Sequence, residues 1–180
     1  WNQLNRHQRV PLDSLPVLPQ SIIDKNTLIS WSVCHSLDNK SSCYLPTSII
    51  CMNSQALIEP LRIFTMGSNG LASGLSIEDA ILSGLYELIE RDAMRCWINA
   101  IQNQGLRDAY INNKSIDYES TKLLINKIEE ASLNIYLSDW TTDIGISVFR
   151  CLLVGDIDAT VSITEGFGCH HLPEIAINRA

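Results

Sequence analysis

Apolar and polar positions begin to alternate at Thr27. Ile29, Trp31 and Val33 fall on one side of an extended chain and Ser30, Ser32 and Cys34 on the other, the pattern of a half-buried strand. Asp38 to Ser42 reads as a turn, Thr47 to Met52 and Leu61 to Met66 as further strands, and the run Gly67 to Gly74 as a loop. Upstream, Pro11, Pro16 and Pro19 each remove a backbone donor and fix φ. Residues 1–26 are therefore expected to be an extended lead-in to a domain spanning 27–180.

The period then lengthens. Ser76 can cap a helix whose third position is Asp79, a near capping box, and that helix is expected to run to about Ile101. Tyr118 to Ala131 predicts a second, amphipathic helix with Leu124, Ile125 and Ile128 on one face. Leu133, Ile135 and Leu137 alternate as a strand, and the more continuous apolar run Ile146 to Val154 suits a central one. Gly155 to Asp158 reads as a turn into a short strand at Val161 to Thr164, and Pro173 to Ala180 as a helix just begun. The whole predicts an α/β (mixed α+β) fold, with helices packed against one face of a predominantly antiparallel or mixed sheet.

Composition narrows the function classes. With 46% hydrophobic residues in 180, the chain can bury one substantial core. It has no apolar run near the roughly 20 residues that span a bilayer and no signal-peptide pattern, so neither a membrane nor a targeting segment is expected. A net charge of -7 argues against a nucleic-acid partner, whose phosphates need a basic surface. The six cysteines form no C-x-x-C pair and no regular framework, which disfavours zinc and disulfides and suits small buried hydrophobes in a reducing cytoplasm. His7 and His35 lack ligand-spaced partners. Both ends read as cut, since the chain starts at Trp1 and stops at Ala180 inside a helix.

Candidate chemistry concentrates on the long helix. At 100° per residue, Ile77, Ile81, Leu85, Leu88, Ile89 and Cys96 gather on one side, and Ser83, Glu87 and Glu90 form a polar stripe on the other. Two carboxylates a turn apart suit a hard cation such as Mg²⁺, although a solvated helix face carries the same pattern. Asp92 falls inside the apolar stripe. An unpaired charge there is costly, so Asp92 is expected to be buried and hydrogen-bonded, with Arg95, a backbone N–H or Trp97 as donor. Gly166-Phe167-Gly168-Cys169-His170-His171 sets a thiol beside two imidazoles. Adjacent extended residues face opposite ways, however, so His170 and His171 are not expected to share a ligand, and Cys169 lacks an acid to complete a triad.

Several segments resemble the YcaO family in order. Ser68-Asn69-Gly70-Leu71-Ala72-Ser73-Gly74, then Glu78-Asp79-Ala80-Ile81, then Ser83-Gly84-Leu85-Tyr86-Glu87-Leu88-Ile89-Glu90-Arg91-Asp92-Ala93 resembles the family's first nucleotide motif, S-x-x-x-E-x-x-E-R. Ile29-Ser30-Trp31 with Tyr44-Leu45-Pro46 is similar to its early strand pair. Asp139 to Ile146 is similar to its D-x-T-x-D-x-G-I/L segment, and Gly166 to Ala176 to its G-x-G-x-H-x-x-P-E-x-A segment. The resemblance spans about residues 27 to 180. The family's following L-T-E-A-x-Q-like stretch, its later arginines and its proline-rich C-terminus are not in this sequence.

The resemblance implies ATP-dependent modification of a peptide backbone. A Cys, Ser or Thr side chain, or external sulfide, attacks an amide carbon, and the amide oxygen is phosphorylated and leaves as phosphate, giving an azoline or a thioamide. ATP and Mg²⁺ are the implied cofactors. Ser83, Glu87, Glu90 and Arg91 are the implied nucleotide-binding residues, with Glu87 and Glu90 on the metal and no certain catalytic residue. From the residues alone, Arg91 fits a salt bridge as well as a phosphate contact. The implied partners are a peptide or protein substrate and a leader-recognition or TfuA-like protein, with room for a homodimer. Two alternatives are support of ribosomal-protein methylthiolation and a non-catalytic subunit that binds a leader peptide. Residues 1–180 alone are expected to hydrolyse no ATP.

Overall fold

The computed structural model describes residues 8–19, 21–23, 27–38, 41–52, 63–155 and 163–180. The chain divides into two compact units, Trp1–Leu71 and Ala72–Ala180.

In the first unit, strand β1 (Trp31–His35) pairs antiparallel with β2 (Ser42–Pro46), which sets Trp31 opposite Pro46 and Cys34 opposite Cys43. Burial in β1 does not follow the alternation: Trp31, Ser32 and Cys34 are all partly covered, while Val33 is 61% exposed. Ser32 explains part of this, because its hydroxyl lies 2.9 Å from that of Thr47 and turns that side inward. The strand expected at Thr47 to Met52 is instead a helical turn, α1 (Thr47–Ile50). Thr47 N–H still donates to Ser30 O at 2.8 Å and closes the β1–β2 ladder, but Ser48 is then buried, so packing overrides the β-preference of Thr47, Ile49 and Ile50. Of the candidate strand Leu61 to Met66, residues 61 and 62 lie outside the described residues. Phe64 makes a bridge to Val17, flanked by Leu18 N–H to Ile63 O and Thr65 N–H to Pro16 O, both at 2.8 Å. The prolines of this stretch need no ladder partner for the N–H they lack, and a short 3₁₀ turn at Leu12–Ser14 interrupts it.

The second unit is built on a four-stranded antiparallel sheet in the order β3 (Tyr110–Ile111), β4 (Asn134–Asp139), β5 (Ser147–Val154) and β6 (Ile163–His170). Its helices are α2 (Ile77–Gln104), α3 (Glu119–Glu130) and α4 (Pro173–Arg179). Ser76 caps α2 by accepting the Asp79 N–H at 3.2 Å, as its sequence implies, and Gly105 ends it in the left-handed region at φ 69°. The turn at Gly155 to Asp158 and the start of the strand at Val161 lie largely outside the described residues. From Ile163 that strand continues past Thr164 to His170, so it is longer than expected and takes in Gly166 to Cys169.

Two apolar clusters cover the two faces of the sheet, so helices lie on both faces and not on one as expected. Ile116, Ile125, Leu137, Phe149, Cys151, Ala176 and Ile177 join α3 and α4 to one face. Tyr86, Ala93, Trp140, Val148 and Cys169 join α2 to the other. Leu124, expected on the buried face of α3, is 41% exposed, and Thr121 takes its place by bonding Asn178 at 2.7 Å. On the α2 side, the Trp140 ring stacks on Trp97 at 5.9 Å and carries the Arg150 guanidinium at 5.1 Å. Asp108 closes this group, accepting from Trp140 Nε1 at 3.0 Å and from Arg150 Nη1 at 2.6 Å. Gly166 and Gly168 explain the closeness of α4. A Cβ on Gly166 would strike Ala180 O, and one on Gly168 would strike Ala176 O and lie 2.8 Å from Arg179 Cβ. Among the described residues no helix is long and apolar enough to cross a membrane.

Candidate functional site

Helix α2 is rotated about half a turn from the sequence expectation. Ile77, Ile81, Leu85, Leu88 and Cys96 are exposed, and so is Asp92, whose predicted burial is overturned. Its carboxylate instead accepts a weak bond from Cys96 Sγ at 4.0 Å, one turn on. The face toward the sheet carries Tyr86, Ile89, Ala93, Met94, Trp97, Ile98 and Ile101. The helix is apolar on two sides, so periodicity alone selects the wrong one; the aromatic residues on the other side bury more area and decide the packing.

The rotation changes what the polar stripe is. At 100° per residue, Ser83, Glu87 and Glu90 share the azimuth of Met94, Trp97 and Ile101, so they continue the sheet-facing side toward the helix N-terminus. Ser83 is exposed, whereas Glu87 and Glu90 are partly buried. Ser83, Glu87 and Glu90 therefore do not form the open stripe opposite the core that their spacing predicts. Burial raises the Glu90 carboxyl above its ordinary pKa, with Arg91 lowering it, Glu87 raising it and Arg179 lowering it by smaller amounts. Arg91 lies one turn beyond Glu87, its Nη2 3.7 Å from Glu87 Oε1, and its Nη1 points at Met94 Sδ at 3.7 Å. That is the local ion pair, exposed and of small energetic weight.

The end of β6 and helix α4 complete the surroundings of Glu90. Cys169 is 2% exposed, and burial, then the Glu90 charge, pushes its thiol up to about 11 despite Arg179. Buried from any substrate and protonated at neutral pH, this thiol is a poor nucleophile. Arg179 Nη1 donates to Cys169 O at 3.2 Å, which anchors this cation beside Glu90. The imidazoles of His170 and His171 do not diverge as an extended chain requires. The chain leaves the strand at His170, and the two rings stack at 4.3 Å. Both pack on Tyr86, whose hydroxyl is hydrogen-bonded to His171 Nδ1. Leu172 N–H donates to His170 Nδ1 at 3.1 Å, which leaves the neutral ring's proton on Nε2. Burial, then the charges of His171 and Arg179, lowers the His170 pKa and favours that neutral form.

Sequence reasoning missed Tyr86 and Arg179 as members of this constellation. Tyr86 lies between Ser83 and Glu87 in the motif, and Arg179 is the cation of the last helix, but only the rotation of α2 and the close seat of α4 reveal their roles. Among the described residues no three His, Cys, Asp or Glu side chains converge as a ready-made metal cage. Two carboxylates one turn apart, one of them desolvated, match the way Mg²⁺ is commonly held, by one or two protein carboxylates with water and substrate phosphate oxygens completing the shell. The residues fit that group. In the first unit, a cleft of 640 Å³ lined by Val10, Pro11, Leu12, Val17, Ile23 and Trp31 among others is mainly apolar and contains no carboxylate pair.

A family model described as YcaO cyclodehydratase, ATP- and Mg²⁺-binding, matches residues 2–180. An uncharacterised protein in the tfuA 3′ region of Rhizobium leguminosarum bv. trifolii is 32% identical over 161 residues, covering 84% of this chain and 37% of that protein. A heterocyclase solved in complex with substrate and cofactor superposes with a TM-score of 0.70 at 30% identity, over 84% of this chain and 20% of its own. The YcaO protein of Methanopyrus kandleri, bound with AMPPCP and Mg²⁺, shares the fold with a TM-score of 0.62 at 21% identity, over 83% of this chain and 38% of its own. The chain thus spans well under half the length of these relatives.

Proposed function

The chain belongs to the YcaO family, and from that premise we propose that it supplies the first acidic motif of an enzyme that uses Mg-ATP to activate a peptide-backbone amide oxygen. The observation that carries this reading is Glu90: a half-buried carboxylate one turn from Glu87, held above its ordinary pKa by burial, is a group that a cation would stabilise. When bound, Mg-ATP supplies the phosphoryl group that makes the amide oxygen a good leaving group. The side chains of the protein then have little covalent work, and positioning with charge neutralisation dominates.

Glu87 and Glu90 would hold the metal, and Ser83, exposed one turn earlier, would reach the nucleotide or a metal-bound water. Arg179 stands close enough to Glu90 and His170 to influence both their pKa values, and we add it to Arg91 as a phosphate-facing cation. His170, neutral and with its proton on Nε2, can offer a hydrogen bond without adding charge. In the reaction, a thiol, hydroxyl or sulfide forms a bond to the amide carbon, the former carbonyl oxygen takes the γ-phosphoryl group from ATP, and phosphate leaves as the azoline C=N or thioamide C=S bond forms. A relative in a tfuA 3′ region supports a TfuA-like partner that presents the substrate. Six free cysteines support a cytoplasmic setting.

Mass spectrometry of a Cys- or Ser-containing peptide incubated with the full-length protein, Mg-ATP and, in a second arm, sulfide tests the proposal. Loss of one water per phosphate released indicates an azoline, and exchange of one oxygen for sulfur indicates a thioamide. Phosphate release with no change in any peptide, or a peptide change that needs no ATP, overturns it.

A further inference from the structure

Cys34 and Cys43 sit directly opposite each other on β1 and β2, and their sulfurs are 3.1 Å apart. The pair belongs to the first unit and has no part in the chemistry above. Its place in the ladder can be read from the flanking bonds. Ser36 N–H donates to Ser41 O at 2.9 Å and Thr47 N–H to Ser30 O at 2.8 Å. Hydrogen-bonded pairs recur every second residue in an antiparallel ladder, so Ser36 with Ser41, Cys34 with Cys43, and Ser30 with Thr47 belong to one series. Such pairs have Cα atoms about 5.5 Å apart, inside the range a disulfide spans, and closing the bond asks the two sulfurs to approach by only about 1 Å.

We propose that Cys34 and Cys43 form a reversible modification site, a cross-strand dithiol that a low-molecular-weight disulfide such as oxidised glutathione converts to an intrachain disulfide. Both residues are partly exposed, so a small oxidant reaches them. Cys34 Sγ donates to Cys43 O at 3.4 Å, and burial, then the bond to and charge of Cys43, pushes the Cys34 thiol up to about 11. The raised pKa keeps Cys34 protonated at rest, and the 3.1 Å separation lets either sulfur resolve a mixed disulfide on the other. One Sγ loses its proton and bonds to one sulfur of the oxidant, whose disulfide breaks and releases one thiol. The other Sγ then gives up its proton, bonds to the first and expels the second thiol. Two cysteine thiols are oxidised and one small disulfide is reduced to two thiols.

The test is peptide mapping of the protein equilibrated with oxidised glutathione, alkylated and cut with trypsin, which separates the two cysteines at Lys40. The expected product is a cross-linked pair of peptides lighter by two hydrogens than their sum and split by dithiothreitol, with the link mapped to Cys34 and Cys43. Cys34→Ser should accumulate a glutathione adduct on Cys43, and Cys51→Ser should leave the cross-link unchanged. The proposal is overturned if Cys34 and Cys43 remain alkylated while Cys96 is oxidised, if each carries its own glutathione, or if Cys34 links to Cys51. The wild-type map decides this even if a variant fails to fold.

Discussion

The hydroxyl of Tyr86 is hydrogen-bonded to Nδ1 of His171, a residue 85 positions later, and this bond ties the sheet-facing side of α2 to the end of β6. Tyr86 is buried, so its hydroxyl depends on that partner. Tyr86→Phe keeps the ring packing and removes the bond. It should lower unfolding free energy by about 1 kcal/mol, leaving an imidazole nitrogen without its protein partner. Urea denaturation of the two proteins checks this, and equal midpoints would show that the bond has no weight in the folded protein.

Glu90 makes a prediction with a definite sign. Its folded pKa is raised by burial, so its carboxylate is tolerated less well in the folded chain than in the unfolded one. The stability associated with the protonated form is fully present below the unfolded carboxyl pKa and is lost as pH rises through the folded value. Glu90→Gln, which stays neutral, should therefore raise the melting temperature on the order of a few degrees at pH 7 and by little at pH 3 to 4. A melting temperature that falls at pH 7 would mean that the charge is favourably paired.

Gly168 tests the seat of α4. Any Cβ there meets Ala176 O and the Arg179 side chain, neither of which can retreat without moving the helix. Gly168→Ala should cost about 1–3 kcal/mol as an overpacking change. Because Arg179 rides on the displaced helix, the variant should also weaken nucleotide binding more than Tyr86→Phe does. Calorimetric titration with Mg-AMPPCP compares the two.

Much of this architecture was legible from local pattern. Ser76 and Asp79 announced the start of α2, the alternation of Ile135 and Leu137 announced β4, and the apolar run after Ile146 announced β5. What was not legible depends on which of two acceptable partners a segment meets. Helix α2 is apolar on two sides, and only the sheet surface offered by Trp140, Val148 and Phe167 selects the side with Tyr86 and Trp97. The run after Pro46 is β-branched yet turns helical, because burying Ser48 and bonding Thr47 to Ser32 outweigh local preference. For the candidate site, Glu87 and Glu90 are singled out by their resemblance to the family motif, since the open stripe expected from their spacing is not what the fold gives. Their sheet-facing setting, and the contributions of Tyr86, His171 and Arg179, came only from the tertiary arrangement.

The central claim is that Glu87 and Glu90 hold a nucleotide-bound Mg²⁺. Calorimetric titration of Mg-AMPPCP into the protein and its Glu87→Gln and Glu90→Gln variants, repeated with AMPPCP and EDTA, tests it most directly. Each variant should bind at least tenfold more weakly in the presence of Mg²⁺, a loss of about 1.4 kcal/mol or more, and both should match the parent protein when the metal is chelated. Folded variants that bind Mg-AMPPCP as tightly as the parent would contradict the account.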